Sequence, residues 1–294
     1  MINEYFENKV INKVQGISII SNNDRAVSNF GKQWKKYKYV QVDSYNNFNL
    51  SLNFLKKICH GNLELLKNKN VLEIGCGSGR FTEHISKYAK KCVSVDLSDA
   101  IFHNVSINNK NVILVKADFL KLISKKKFDV IFCRGVLQHT PNPLVSILKL
   151  HDFIDEKGIV IFDIYKKPKI GAFHPKYFFW RPLIKILFQY EYFEKILSKN
   201  IKWLLSIKRF IDKIFFNKRF FSDCMIPVWD YYNDFDLTKK QYEKLALLDT
   251  MDGLYAKYDK PYTNYEIIKL LNENKKIIIK NDKKNNFFIS RNIF

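Results

Sequence analysis

Apolar positions in this chain follow two periods, and the switches between them lay out the elements. At 47–60, Leu50, Phe54, Leu55 and Ile58 fall at helical spacing and predict a helix. From Val71 the pattern changes to short continuous apolar runs separated by helical stretches. The runs predict strands opening at Val71, at CVSV (ending in Asp96), at VILVKADF, at Asp129–Cys133 and at Gly158–Tyr165. Helices are predicted between them over about 79–88, 98–108 and 142–154, with a short one after the third strand. Near the end, Tyr265–Leu271 reads as a helix, KIIIK at 276–280 as a strand, DKKNN as a turn and FFIS at 287–290 as the last strand. Strands alternating with helices imply right-handed crossovers, hence an α/β, doubly wound, largely parallel sheet with helices on both faces.

Such sheets bind ligands at the carboxyl ends of their strands, and the candidate chemistry sits there. The first strand runs VLEIGCGSG from Val71 to Gly79, placing an acid, Glu73, before three glycines, Gly75, Gly77 and Gly79, with Cys76 as a small filler. Glycine tolerates positive φ and lets a ligand lie against bare backbone, and the helix start beyond it offers free N–H groups. Asp96, seventeen residues after Gly79, is placed at the tip of the second strand to hold a ribose. A dinucleotide turn wants a third small residue for helix–strand packing, and here that position is Arg80. An acid two residues before the first glycine also suits a ligand with a positive amino group better than a pyrophosphate. S-adenosylmethionine carries an amino group and a sulfonium, and no phosphate.

These residues resemble the first motif of the class I S-adenosylmethionine-dependent methyltransferases, E/D-x-G-x-G-x-G. The later strand ends extend the resemblance in the family's order. In that family, an acid and an apolar residue after the third strand, here Asp118 and Phe119, meet the adenine, and FDVIFCRGVLQHTPNP resembles the segment bordering the methyl group and the acceptor. The resemblance implies a Rossmann-like sheet of seven strands, parallel with a C-terminal antiparallel strand. It further implies S-adenosylmethionine as cofactor (S-adenosylhomocysteine as product) and Leu97 and Arg134 as further cofactor neighbours. It divides the chain into three parts: a lead and helix at 1–60 that serves as a lid, a cofactor-binding core at 61–165 and 262–294, and an insertion at 166–261 expected to form a basic, aromatic helical cap that shapes the acceptor pocket. Within the lead, Gln33 and Trp34 are candidates to cover the cofactor, Trp34 through the attraction of an aromatic face for a cation; simple packing is the alternative.

A hydroxyl acceptor needs a base to take its proton. His139, following the fourth strand, is the first candidate, because a neutral imidazole works near neutral pH; the alternative is packing or capping at Thr140–Pro141. His174 is a second candidate. Gln138, Asp252, Tyr258 and Asp259 are candidate acceptor contacts. No metal site is expected: Cys59–His60 has no companion pair. The five cysteines lack paired spacing and read as reduced.

Charge changes the picture at one place. The chain carries 50 Lys and Arg against 29 acids, a formal net charge of +21, to which a general Lys, Asn and Ile bias contributes. From Lys166 to Phe220, however, 14 bases face three acids. Lys195, Lys199, Lys202, Arg209 and Lys213 cluster on one side of a helical wheel, with Ile201, Leu204, Leu205, Ile211 and Phe215 expected opposite. A solvated outer face, an anionic membrane surface and a nucleic acid all remain open as readings. No run of eighteen uncharged apolar residues occurs, and MINEYFENKV lacks a secretory pattern, so a cytoplasmic location is expected, with peripheral attachment at the inner membrane face open.

Beyond the core, FGKQWKKYKYVQVDS (Phe30–Ser44) and LLDTMDGLYAKYDKPYT (Leu247–Thr263) resemble methyltransferase-domain proteins encoded with bacterial surface-polysaccharide genes. That resemblance implies a sugar hydroxyl of a nucleotide sugar, glycan or lipid-linked sugar as acceptor. An RNA acceptor such as tRNA, a quinone or lipid acceptor, and a non-catalytic S-adenosylmethionine-binding scaffold are the alternatives.

Overall fold

The central strands are apolar on both faces because both are covered. In β3 (Asn70–Ile74), Leu72 and Ile74 enter one core with Val93, Val95 and Ile131, while Val71 enters the other with Cys92, Val130 and Phe132. This is the two-residue alternation of a strand read through a sheet buried on both sides. The computed structural model describes residues 2–21, 37, 39–168, 175–215, 219–231 and 237–293. The predicted Gln33, Trp34 and His174 lie outside the described residues.

The chain folds as two compact units, 1–167 with 258–294, and 168–257. In the first, one sheet runs in the order β1-β2-β5-β4-β3-β6-β7-β9-β8. Its centre comprises β3, β4 (Lys91–Asp96), β5 (Val112–Lys116), β6 (Phe128–Cys133) and β7 (Ile154–Asp163), all parallel. β8 (Lys276–Asp282) and β9 (Phe287–Asn292) close the far edge, β9 antiparallel to both neighbours. Phe162 and Phe288 stack across that junction with ring centroids 5.1 Å apart.

The seven expected strands are present, and two more extend the other edge. β1 (Asn12–Val14) and β2 (Ile17–Ile19) form a hairpin, and β2 pairs parallel to β5. Its two-residue turn, Gln15–Gly16, takes positive φ at both positions (51° and 80°), the twist a tight hairpin needs. Three-residue strands carry too little pattern to be seen in sequence. The helix expected over 98–108 is instead a single 3₁₀ turn at Asp99–His103. Asn104 ends it, its backbone leaving the helical region while its side chain reaches Thr82.

Helices α1 (Asp43–Asn46) and α2 (Leu50–Ile58) precede the sheet, α3 (Thr82–Tyr88) follows the glycine turn and α4 (Pro143–Leu150) follows β6. The 168–257 unit contains α5 (Arg181–Leu187), α6 (Tyr190–Ile214), α7 (Arg219–Met225) and α8 (Lys239–Tyr255). α9 (Asn264–Glu273) returns to the first unit behind a capping box, with Thr263 and Glu266 bonding each other's backbone N–H.

Candidate active site

Five adjacent strands end on one side of the sheet, and the predicted residues line that edge in strand order: Asp118 after β5, Asp96 on β4, the glycine turn after β3, Arg134 to His139 after β6. The glycine turn is held by Gly75 N–H and Cys76 N–H, both donating to Val95 O. A Cβ at Gly75 would come within 2.0 Å of Val136 Cγ2, so the turn after β3 lies against the loop after β6 with no room for a side chain. Gly77 is different. It has φ +49° and nothing within 4 Å of where its Cβ would be. The first glycine lets two loops meet; the second keeps an open backbone face.

Glu73 lies beneath this face. It is 1% exposed, and its Oε2 accepts from Thr82 Oγ1 and Ser94 Oγ, each at 2.7 Å. Its Oε1 is buried with no hydrogen-bond partner among the described residues. Burial pushes the carboxyl up to about 7, against the pull of those two hydroxyls. Asp96 turns back to the turn it serves: Oδ2 accepts Gly77 N–H at 2.8 Å, and Oδ1 accepts both N–H and Oγ–H of Ser98. Leu97, next to Asp96 in the chain, is half-buried. Cys76 is 3% exposed, and burial raises its thiol far above its usual range, which suits a filler rather than a nucleophile.

Asp118 caps the 3₁₀ turn at Phe119–Lys121 by accepting Leu120 N–H, and its own N–H donates to Ser21 Oγ. Phe119, expected to cover an adenine, packs into the core with Val115 and Leu122. An open glycine face, an acid at the second strand tip and a buried acceptor oxygen at Glu73 are the features an amino- and ribose-bearing cofactor requires. S-adenosylmethionine therefore fits the residues present.

Two arginines brace the near side. The Arg134 guanidinium lies 4.3 Å from the Phe54 ring centroid and that of Arg80 5.2 Å from it. Arg134 Nε is 3.6 Å from Asp163 Oδ2, and Asp163 Oδ1 accepts Gly135 N–H. Burial raises Asp163, opposed by Arg134 and that N–H. Arg80 donates to Gln41 Oε1 and to Ser51 Oγ.

A buried cluster with no counterpart among the sequence expectations lies next to these. Asp43 accepts N–H from Ser51 and Leu52 and pairs with His84 Nε2 at 2.9 Å, while its own N–H donates to Glu83 Oε1. Burial would raise Asp43, but the bonds from His84 and the two N–H groups outweigh it and hold the carboxyl below its usual range. Asp43, Glu83 and His84 could together hold a metal ion by distance. Their present bonds have another effect, tying residues 41–52 to the helix that follows the glycine turn. Only tertiary folding joins residues this far apart, so no spacing signal announces the cluster.

Beyond β6, His139 Nδ1 donates to the backbone carbonyl of Tyr258 at 2.9 Å, and its ring meets Tyr165 edge-on with centroids 5.5 Å apart. A carbonyl only accepts, so Nδ1 carries the proton and Nε2 is the basic nitrogen of the neutral ring. The neighbouring loop is stitched down by Lys260 N–H to Gln138 O and by Lys260 Nζ to Pro141 O. The Gln138 side chain is fully buried, and neither its Nε2 nor its Oε1 has a hydrogen-bond partner among the described residues. Tyr258 and Asp259 belong to this same loop. Asp252 lies on α8 in the other unit.

Known proteins share this arrangement at the level of sequence family. The family described as "Methyltransferase domain" matches residues 51–204. The tRNA U34 carboxymethyltransferase of Nautilia profundicola is 29% identical over 195 residues, covering 59% of this chain and 61% of that protein. The ubiquinone biosynthesis O-methyltransferase of Hydrogenovibrio crunogenus is 26% identical over 149 residues, covering 43% of this chain and 62% of that protein. The chain thus spans less than two thirds of these relatives' length. The solved N-methyltransferase NodS from Bradyrhizobium japonicum, bound to S-adenosylhomocysteine, shares 21% identity over 38% of this chain and 60% of its own, with a TM-score of 0.34. With the family match spanning more than half of its length, the chain belongs to the methyltransferase-domain family.

Proposed function

We propose that this chain is a class I S-adenosylmethionine-dependent methyltransferase acting on a hydroxyl oxygen, with His139 as general base, and that the acceptor is a sugar hydroxyl of a nucleotide sugar, glycan or lipid-linked sugar. The observation that carries the reading is the Nδ1–H donated to Tyr258 O, which leaves Nε2 as the proton acceptor. When bound, the cofactor supplies an electrophilic methyl group on a sulfonium. Glu73 and Asp96 would hold its amino group and ribose, and the open Gly77 backbone would let it approach. Nε2 of His139 would take the proton of the acceptor hydroxyl. Next to His139 in the chain, the buried Gln138 amide, without a hydrogen-bond partner among the described residues, has the donors and the acceptor that a sugar hydroxyl would satisfy if the segment opens to admit it.

An RNA acceptor is the second reading, favoured by the likeness to tRNA U34 carboxymethyltransferase and by the +21 charge. Incubation with methyl-labelled S-adenosylmethionine and host extract, followed by fractionation, separates the two. Label in glycan, nucleotide-sugar or glycolipid material supports the first. Label in nuclease-sensitive material overturns it.

A further inference from the structure

Helix α6 is apolar on two opposite faces, and among the described residues one is buried and the other exposed. Tyr190, Leu197, Ile201, Leu205 and Ile211 are buried along its inner side. On the other side Tyr192, Trp203 and Phe210 are 59%, 63% and 63% exposed. Advancing 100° per residue, these three rings fall within about 20° of one another, a continuous aromatic stripe. Exposed Lys195, Lys199, Lys202 and Lys213 form a second stripe directly beside it. The outer face therefore differs from the sequence expectation. Arg209 leaves the basic face to pair with Asp230 at 2.8 Å, and Phe215 is exposed rather than turned inward.

On the same helix Ile214, 54% exposed, falls beside the aromatic stripe on the helical wheel. Among the described residues, eleven of the twenty-one exposed large hydrophobics belong to the 168–257 unit, including Ile186 at 82%, Leu187 at 59% and Ile214 at 54%. Such a concentration beside lysines marks a binding surface rather than scattered surface apolars. Three occupants can be compared by chemistry. A second copy would set lysine against lysine. A nucleic acid would use the lysines and the aromatic rings, but a branched aliphatic such as Ile214 has no π-face on which a base can stack. An anionic lipid bilayer satisfies all three residue types at once: phosphates for the lysines, the interfacial zone for Trp203 and Tyr192, and acyl chains for the aliphatics. No described helix is long and apolar enough to cross a membrane, so contact would be parallel to the surface.

We propose that the outer face of α6 docks the protein on an anionic membrane surface. The proposal does not depend on the acceptor assigned above. The test is co-sedimentation of the full chain with vesicles of phosphatidylcholine alone or mixed with phosphatidylglycerol, while Trp203 emission is followed with Trp203→Phe as the blank. The expected result is binding to the mixed vesicles only, with a blue shift that Trp203→Phe removes. Both the charge reversal Lys195→Glu/Lys199→Glu/Lys213→Glu and, separately, Trp203→Ser/Phe210→Ser should weaken binding by about tenfold or more. All these side chains are exposed, so circular dichroism should be unchanged. Equal binding to both vesicle types, no binding to either, or loss with the lysine variant alone while RNA binding is lost in parallel would overturn it.

Discussion

His139 and Tyr258 are 119 positions apart in sequence, yet the Nδ1–H of one lies 2.9 Å from the backbone carbonyl of the other. The bond chooses the histidine's tautomer. It also makes the loop before α9 part of the machinery that follows β6, because Lys260 N–H secures the same segment through Gln138 O.

With His139 in the proposed role of base, its removal should slow chemistry without touching the cofactor. His139→Ala is expected to lower kcat by about 10²–10⁴-fold while leaving S-adenosylmethionine affinity, measured calorimetrically, within about twofold of the parent. An unchanged kcat would assign the ring to packing alone.

The burial of Glu73 has a consequence for stability against pH. Its carboxyl is pushed up to about 7, well above the ordinary glutamate range, so the folded state prefers it protonated. The carboxyl exacts nothing below the unfolded value; a cost grows as pH rises through that value and is complete above about 7. It amounts to about 3 kcal/mol. Glu73→Gln, which cannot ionise, should raise Tm relative to the parent at about pH 8 and lose that advantage at about pH 4, while weakening cofactor binding. Equal Tm differences at both pH values would contradict the assignment.

Gly75 and Gly77 should separate folding from binding. Gly75→Ala drives a Cβ to 2.0 Å from Val136 Cγ2 and is expected to destabilise by several kcal/mol. Gly77→Ala meets no protein atom and carries only the strain of positive φ, about 1 kcal/mol, yet places a methyl on the ligand face. Denaturant melts paired with cofactor titration should show the first variant failing mainly in stability and the second mainly in binding. Normal cofactor affinity in Gly77→Ala would move the ligand elsewhere.

Gln138 makes a different case, because its buried amide has no hydrogen-bond partner among the described residues and burial of such a group costs about 1–3 kcal/mol. Gln138→Leu should stabilise the protein and raise the KM for the acceptor with little change in cofactor affinity. A loss of stability would show that the amide is satisfied in solution and is not kept for a ligand.

Local sequence was enough to specify the parallel sheet and to place the glycine turn and its neighbouring acids at the strand ends. Continuous apolar strands, the spacing of helical stretches and the run from Glu73 to Gly79 are local patterns, and local patterns are what backbone period and glycine conformations write into a chain. The remaining features came from long-range packing. The β1–β2 hairpin gains its place only by pairing with β5, and three-residue strands leave no period to detect. Phe119, expected as a ring cover, packs with Val115 and Leu122, a contact that sequence position alone did not announce. The Asp43–Glu83–His84 cluster and the His139–Tyr258 bond join segments far apart in sequence, where no spacing rule applies. On α6 the wheel located the lysines, but it could not tell which of two apolar faces would be covered. Packing within the 168–257 unit buried one face and left Trp203 and Phe210 in solvent.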